Sequence, residues 1–168
     1  MYGITKDQYN SLAPYIQISE KEPKVSYLKV VKKPVLAIEL NSADSTELVK
    51  LIGIGPAFAK RIILYRNSLG GFINKEQLLE VYGLDQEKYE IILPNLLVDS
   101  SKVRKININL CNAKELKHPY IKYNVANAIV NYRNKHGMYS QLSEIKKTDL
   151  VDEELYLKIV PYLKVSNK

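Results

Sequence analysis

The sequence predicts an all-α protein of tandem helical units, each built from two hairpins, with a short extended linker. Three observations lead there. Apolar residues recur at i and i+3 through segments punctuated by Gly and Pro, as amphipathic helices require. The segment 83–94 returns as 150–161 at an offset of 67 and as 3–14 at an offset of 80. The stretch 48–62 sets Gly53-Ile54-Gly55-Pro56 between two short apolar-faced runs.

That stretch is the most informative in the chain. Leu48 and Leu51 share one helix face, Ile54 is the lone apolar residue at the turn, and Ala59 and Ile62 continue the stripe. Gly53 and Gly55 suit positions that need positive φ or a bare backbone. Pro56 suits the first turn of the next helix, where an N–H would have no partner. The amides at such a helix start point outward and form an anion site.

The run Leu48-Val49-Lys50-Leu51-Ile52-Gly53-Ile54-Gly55-Pro56-Ala57-Phe58-Ala59-Lys60-Arg61-Ile62 resembles the helix-hairpin-helix motif, L-x-x-L-x-G-I-G-x-x-x-A-x-x-I, at every fixed position. In that family the hairpin amides hold a phosphate oxygen of a nucleic-acid backbone without reading sequence.

The repeats divide the chain. Offset 67 aligns Ala59 with Ala126, Ile62 with Ile129, Tyr65-Arg66-Asn67 with Tyr132-Arg133-Asn134, and Gly70 with Gly137. Offset 68 aligns Asn41 with Asn109 and Glu47-Leu48 with Glu115-Leu116. The expected organisation is a complete unit at 37–100 and a degenerate one at 101–168. Residues 1–18 read as the C-terminal remnant of a truncated unit, so the chain reads as a fragment. Residues 19–36, with β-branched Val25, Val30 and Val31, read as an extended linker. Within the complete unit, helices are expected from Asn41 or Ser42 to Leu51, from Pro56 to Asn67, near 75–80 and from Asp85 to Pro94. Their counterparts fall near 111–118, 122–134, 141–147 and 152–160.

Two hairpins per unit, joined by a helix bearing Tyr-Arg and a Gly turn, resemble the tandem SAM-domain-like helix-hairpin-helix units of the ComEA family. Those are bacterial DNA-uptake proteins that bind double-stranded DNA outside the cytoplasm. The resemblance maps the phosphate-binding turn onto Gly53, Ile54 and Gly55, and the basic residues of the next helix turn onto Lys60 and Arg61. It maps the second turn onto Gly83 and Leu84, with Lys88 nearby. It implies an extracytoplasmic parent anchored upstream, and allows a monovalent cation at the hairpin carbonyls; no other cofactor is expected. In the last unit Tyr120 and Lys122 take the two glycine positions and Leu150 that of the second turn. Side chains there crowd a backbone approach to phosphate, so no such site carries over.

Charge cuts both ways. The net charge is +7 over 168 residues. It divides into +3 over 1–36, −3 over 37–100 and +7 over 101–168, so the intact hairpin lies in the acidic segment. A polyanionic partner, double-stranded DNA, is expected from the motif and the overall charge. The rival is a protein-interaction or structural scaffold module that keeps the fold without DNA. No apolar run approaches 18 residues, so no transmembrane segment is expected.

No enzyme is expected, because two histidines, one cysteine and scattered acids offer no nucleophile with its base and no metal site. His118 and His136 read as loop and turn residues, and Cys111 as a small buried residue. Arg66 and Arg133, recurring in an intact and a degenerate unit, read as structural, holding carbonyls at a helix C-terminus. The thirteen tyrosines recur at repeat-equivalent positions and read as packing; a stacking platform for single strands would need aromatics on one basic face.

Overall fold

The computed structural model describes residues 3, 5–15 and 37–166; the linker read over 19–36 lies outside the described residues. Residues 1–33 and 34–168 form separate compact units. In the first, α1 (Lys6–Leu12) starts on a capping box between Thr5 and Gln8 and runs into a 3-10 turn at Ala13–Tyr15.

The larger unit holds two similar halves. The first runs β1 (Ile38–Glu39), α2 (Ser45–Leu48), α3 (Pro56–Leu69), a 3-10 turn at Glu76–Glu80, α4 (Gln86–Ile92), a 3-10 turn at Leu93–Asn95 and β2 (Leu96–Leu97). The second runs β3 (Ile106–Asn107), α5 (Tyr123–His136), a 3-10 turn at Leu142–Lys147, α6 (Glu153–Ile159), a 3-10 turn at Val160–Tyr162 and β4 (Leu163–Lys164). α1, α4 and α6 have matching bounds at the two repeat offsets, each followed by a three-residue 3-10 turn.

Each half is closed by a parallel pair of two-residue strands that the sequence did not reveal. Ile38 pairs with Leu96 in the first, and Ile106 with Leu163 in the second. Strands this short show no alternation to read. Two further expectations need correction. Asp44, not Asn41 or Ser42, caps α2, accepting Glu47 N at 2.8 Å while Glu47 returns to the Asp44 amide at 3.1 Å. Residues 111–118 form turns rather than a helix: Asn112 Oδ1 accepts the amides of Lys114 and Glu115, both at 3.0 Å.

Asn41 has a different task. Its side chain donates to Phe72 O and Asp99 O at 2.9 Å and accepts Phe72 N at 2.6 Å, tying three segments together. Asn109 repeats this with Tyr139, both bonds at 2.9 Å. Arg66 Nη1 donates to Leu40 O and Ala43 O at 2.9 and 2.6 Å, and Arg133 to Ile108 O and Cys111 O at 2.8 and 2.7 Å. Both arginines hold carbonyls, but at the chain's entry to the first hairpin of each half rather than at a helix C-terminus.

The two halves have separate cores. Leu48, Leu51, Ile54, Ile62, Phe72 and Ile92 lie in the first, and Ile108, Leu116, Ile129, Ile145 and Ile159 in the second. Tyr162 crosses over: it follows α6 in sequence yet is buried in the first core. It belongs to a polar and aromatic seam between the halves. Gln77 Nε2 donates to Tyr162 Oη at 2.7 Å and to Tyr120 Oη at 2.9 Å, Tyr120 donates to Glu80, and Tyr65 donates to the same carboxylate. His118 Nε2 meets Leu69 O at 3.1 Å, and its ring lies 4.3 Å from that of Tyr162.

Candidate nucleic-acid interface

The four hairpin turns share one hydrogen bond and differ in one torsion. Ile54 N bonds Leu51 O, Leu84 N bonds Val81 O, Ile121 N bonds His118 O, and Val151 N bonds Thr148 O, at 2.9 to 3.1 Å. In the first half the third residue of each turn is a glycine with positive φ, Gly53 at 81° and Gly83 at 82°. That is the signature of a type II turn. In the second half Tyr120 and Leu150 stand there, and no described non-glycine residue has positive φ. The central peptide is therefore turned over in one half relative to the other, and the amides of Gly53 and Gly83 point where those of Tyr120 and Leu150 do not.

Of the mapped residues, Ile54 and Leu84 enter only as backbone. Both side chains are buried, and both amides are spent inside their turns. Gly55 is not left-handed: φ is −87° and ψ 178°, the extended geometry of an N-cap. A Cβ there would meet nothing within 4 Å, so the fold itself makes no demand for glycine. The consequence is an α3 start without a side-chain cap, as at the Lys122 start of α5, while Asp44, Asp85 and Asp152 cap α2, α4 and α6. The first amides of the fourteen-residue α3 are left facing outward beside Gly53.

The second turn is built differently. Asp85 closes the α4 start by accepting Lys88 N at 2.9 Å, and the Lys88 ammonium pairs with the same carboxylate. That ammonium holds the Asp85 carboxyl below its usual range. Cations come instead from side chains gathered on an aromatic base. Arg61 reaches from α3, donates Nη1 to Tyr82 O at 3.1 Å, and lies over the rings of Phe58 and Tyr82 at 5.3 and 5.1 Å. Lys88 Nζ lies 5.9 Å from the Phe58 ring centre. A Cβ on Gly83 would stand 3.0 Å from Arg61 Nη1, so this glycine serves both its torsion and the guanidinium. Arg61, Gly83 and Lys88 are thus brought together. Lys60 lies exposed on α3 and makes no ion pair or hydrogen bond among the described residues.

Phe58 and Tyr82 were missed in the sequence, although a signal was available. At offset 67 the second half carries Val125 for Phe58, Asn127 for Lys60, Ala128 for Arg61, Asp149 for Tyr82 and Leu155 for Lys88, besides Tyr120, Lys122 and Leu150 for the glycines. It keeps Asn109, Ala126, Ile129 and Arg133. The second half folds without any member of the cluster and with every member of the scaffold. One chain thereby separates what the fold needs from what it does not.

The remaining candidates are committed to packing. His118 is neutral and buried; burial pushes its pKa down to about 4, against the opposing hydrogen bond to Leu69 O. Its Nδ1 accepts Tyr120 N at 3.2 Å. His136 stacks on Tyr132 at 4.3 Å, and burial raises the Cys111 thiol pKa. Among the described residues no group of three or more His, Cys, Asp or Glu is placed to hold a metal ion, and no helix is long and apolar enough to cross a membrane.

Comparison with known proteins gives the same outline. The helix-hairpin-helix motif profile matches residues 35–97 and 101–164. The endonuclease/exonuclease/phosphatase family domain-containing protein 1 of Danio rerio is 28% identical over 137 residues, covering 70% of this chain and 25% of that protein. Its counterpart in Homo sapiens is 25% identical over 142 residues, covering 67% and 25%. An uncharacterized protein of Haemophilus influenzae is 43% identical over 54 residues, covering 32% of this chain and 48% of that protein. The chain spans about a quarter of the length of the first two relatives. No solved structure matches at the same stringency.

Proposed function

The chain belongs to the helix-hairpin-helix motif family over both halves, and on that premise we propose that it binds double-stranded DNA through backbone phosphates without reading sequence. The observation that carries this is the pairing of an uncapped α3 start at Gly55 with a left-handed Gly53. The fold does not require the first feature, and outward amides are what a phosphate oxygen needs. Arg61 supplies a neighbouring cation at the second turn, with Lys88 beside it and paired with Asp85.

The second half has a different part. With its glycines replaced and its first turn bent into the seam, it acts as a structural partner of the first half and contributes positive charge. The scaffold reading therefore describes that half well, on the observation that His118 and Tyr120 spend their polar atoms inside the protein. The chain as read is a binding module rather than an enzyme. The nuclease wording in its relatives' names belongs to those proteins, which extend well beyond the matched part. A role in DNA uptake outside the cytoplasm rests on the ComEA resemblance alone.

Fluorescence anisotropy of a labelled short duplex at several salt concentrations tests the reading. If about four phosphates are neutralised, log affinity falls with a slope of roughly −3.6 against log salt. The double variant Gly53→Glu/Gly55→Glu, shown folded by circular dichroism, should lose this binding. Unchanged binding in the folded variant would move the site to the basic second half, and no binding by the wild type at low salt would refute the reading.

A further inference from the structure

Tyr82 has an arrangement that phosphate binding does not explain. It is the residue before Gly83 at the tip of the second turn, and 83% of its surface is exposed. A large aromatic residue left that open has no role in the core, and Asp149 fills its place in the second half. Yet its ring is not loose. The Arg61 guanidinium lies over it at 5.1 Å, fixed by the bond from Nη1 to the carbonyl of Tyr82 itself and by a second ring contact, to Phe58 at 5.3 Å. One face of the tyrosine is thus backed by a cation, while the bulk of its surface faces water.

We propose that Tyr82 is a stacking platform for an unpaired base, and that the preferred ligand is DNA in which duplex adjoins a gap or single-stranded segment. The inference rests on the phosphate-binding reading above, which places the nucleic-acid backbone along the same turn. Base–aromatic stacking is sequence-tolerant, because every base has a π face, and it contributes most where the base is already unstacked. A ring held in advance by Arg61 gives up little conformational freedom on stacking. Intact duplex offers such a ring only the edges of paired bases. The combination required is aromatics on one basic face, and Phe58 and Arg61 from α3, Tyr82 from the second turn and Lys88 from α4 provide it. Arg61 retains further N–H donors for a phosphate flanking the stacked base, since an arginine carries five and only Nη1 is hydrogen-bonded among the described residues.

The test compares a labelled duplex with the same duplex carrying a gap, using the full chain. The wild type should bind the gapped DNA about tenfold more tightly, the scale of one stacked base. Tyr82→Ala should abolish that ratio, and Tyr82→Phe should keep it. The chain has no tryptophan, so Tyr82→Trp supplies a single indole whose emission should be quenched by gapped DNA and not by duplex. Equal affinity of the wild type for both DNAs, or a ratio that survives Tyr82→Ala, would overturn the inference while phosphate binding stands. Failure of the wild type to bind either DNA would overturn both readings.

Discussion

Tyr120 donates its hydroxyl to Glu80 at 2.7 Å from the position that Gly53 holds in the first half. What reads in sequence as a decayed hairpin is therefore a docking element. Tyr120 reaches a carboxylate forty residues away, and Pro119 fits the second position of its turn. Burial raises the Tyr120 pKa to about 12, with Gln77 opposing and Glu80 adding to the effect, so the phenol stays a donor at neutral pH.

Restoring the family glycine should accordingly harm the protein. Tyr120→Gly removes a half-buried ring and its bonds to Glu80 and Gln77, and should lower stability by about 2–4 kcal/mol. Tyr120→Phe keeps the ring and should cost about 1 kcal/mol. Urea denaturation of both variants checks this order. A Tyr120→Gly protein as stable as the wild type would mean that the seam contributes nothing.

His118 makes the same seam sensitive to acid. Its folded pKa, near 4, lies below the ordinary value of 6.5 because burial disfavours the charged ring. The unfolded chain therefore binds the extra proton first, and stability falls as pH drops from about 6.5 toward 4, by up to about 1.4 kcal/mol per pH unit. The carboxylates of Glu39 and Glu144, held down at about 2, give up their contribution only below the ordinary carboxylate range. Hydrogen bonds from Lys102 and Ser42 hold Glu39 there against burial; backbone amides, chiefly that of Ser140, and Lys147 hold Glu144. Urea midpoints between pH 7 and pH 5 thus isolate His118, and His118→Gln should flatten the slope. An equal slope in that variant would assign the acid sensitivity elsewhere.

Local chemistry was legible in the sequence, and distant chemistry was not. Gly53 announced its left-handed turn because positive φ is a property of one residue, and the offset of 67 carried the helices of one half to the other. The same transfer failed at 111–118, where Asn112 turns the backbone into the His118-Pro119 bend. The glycine losses at 120 and 122 argued against carrying a phosphate site over, but did not reveal that Tyr120 and His118 have partners at Glu80 and Leu69. Arg61 was legible as a cation, while its seat against Phe58 and Tyr82 depends on how α3 meets the second turn. No spacing along the chain encodes that meeting.

Gly55 offers the sharpest separation of fold from function. Its torsions, −87° and 178°, nearly equal those of Asp44 and Asp85, which cap their helices, and a Cβ would meet nothing within 4 Å. Gly55→Asp should therefore cap α3 and raise stability by a few tenths of a kcal/mol, up to about 1. The same carboxylate would occupy the amides offered to phosphate and repel it, so DNA affinity should fall at least about tenfold, the equivalent of one charge-assisted contact. Thermal melts and anisotropy on one preparation read both quantities. Stability and affinity should move in opposite directions, which no general unfolding effect can produce. A variant that is stabilised and still binds DNA as the wild type does would show that the open start of α3 is a vacancy in the capping pattern and not the phosphate site.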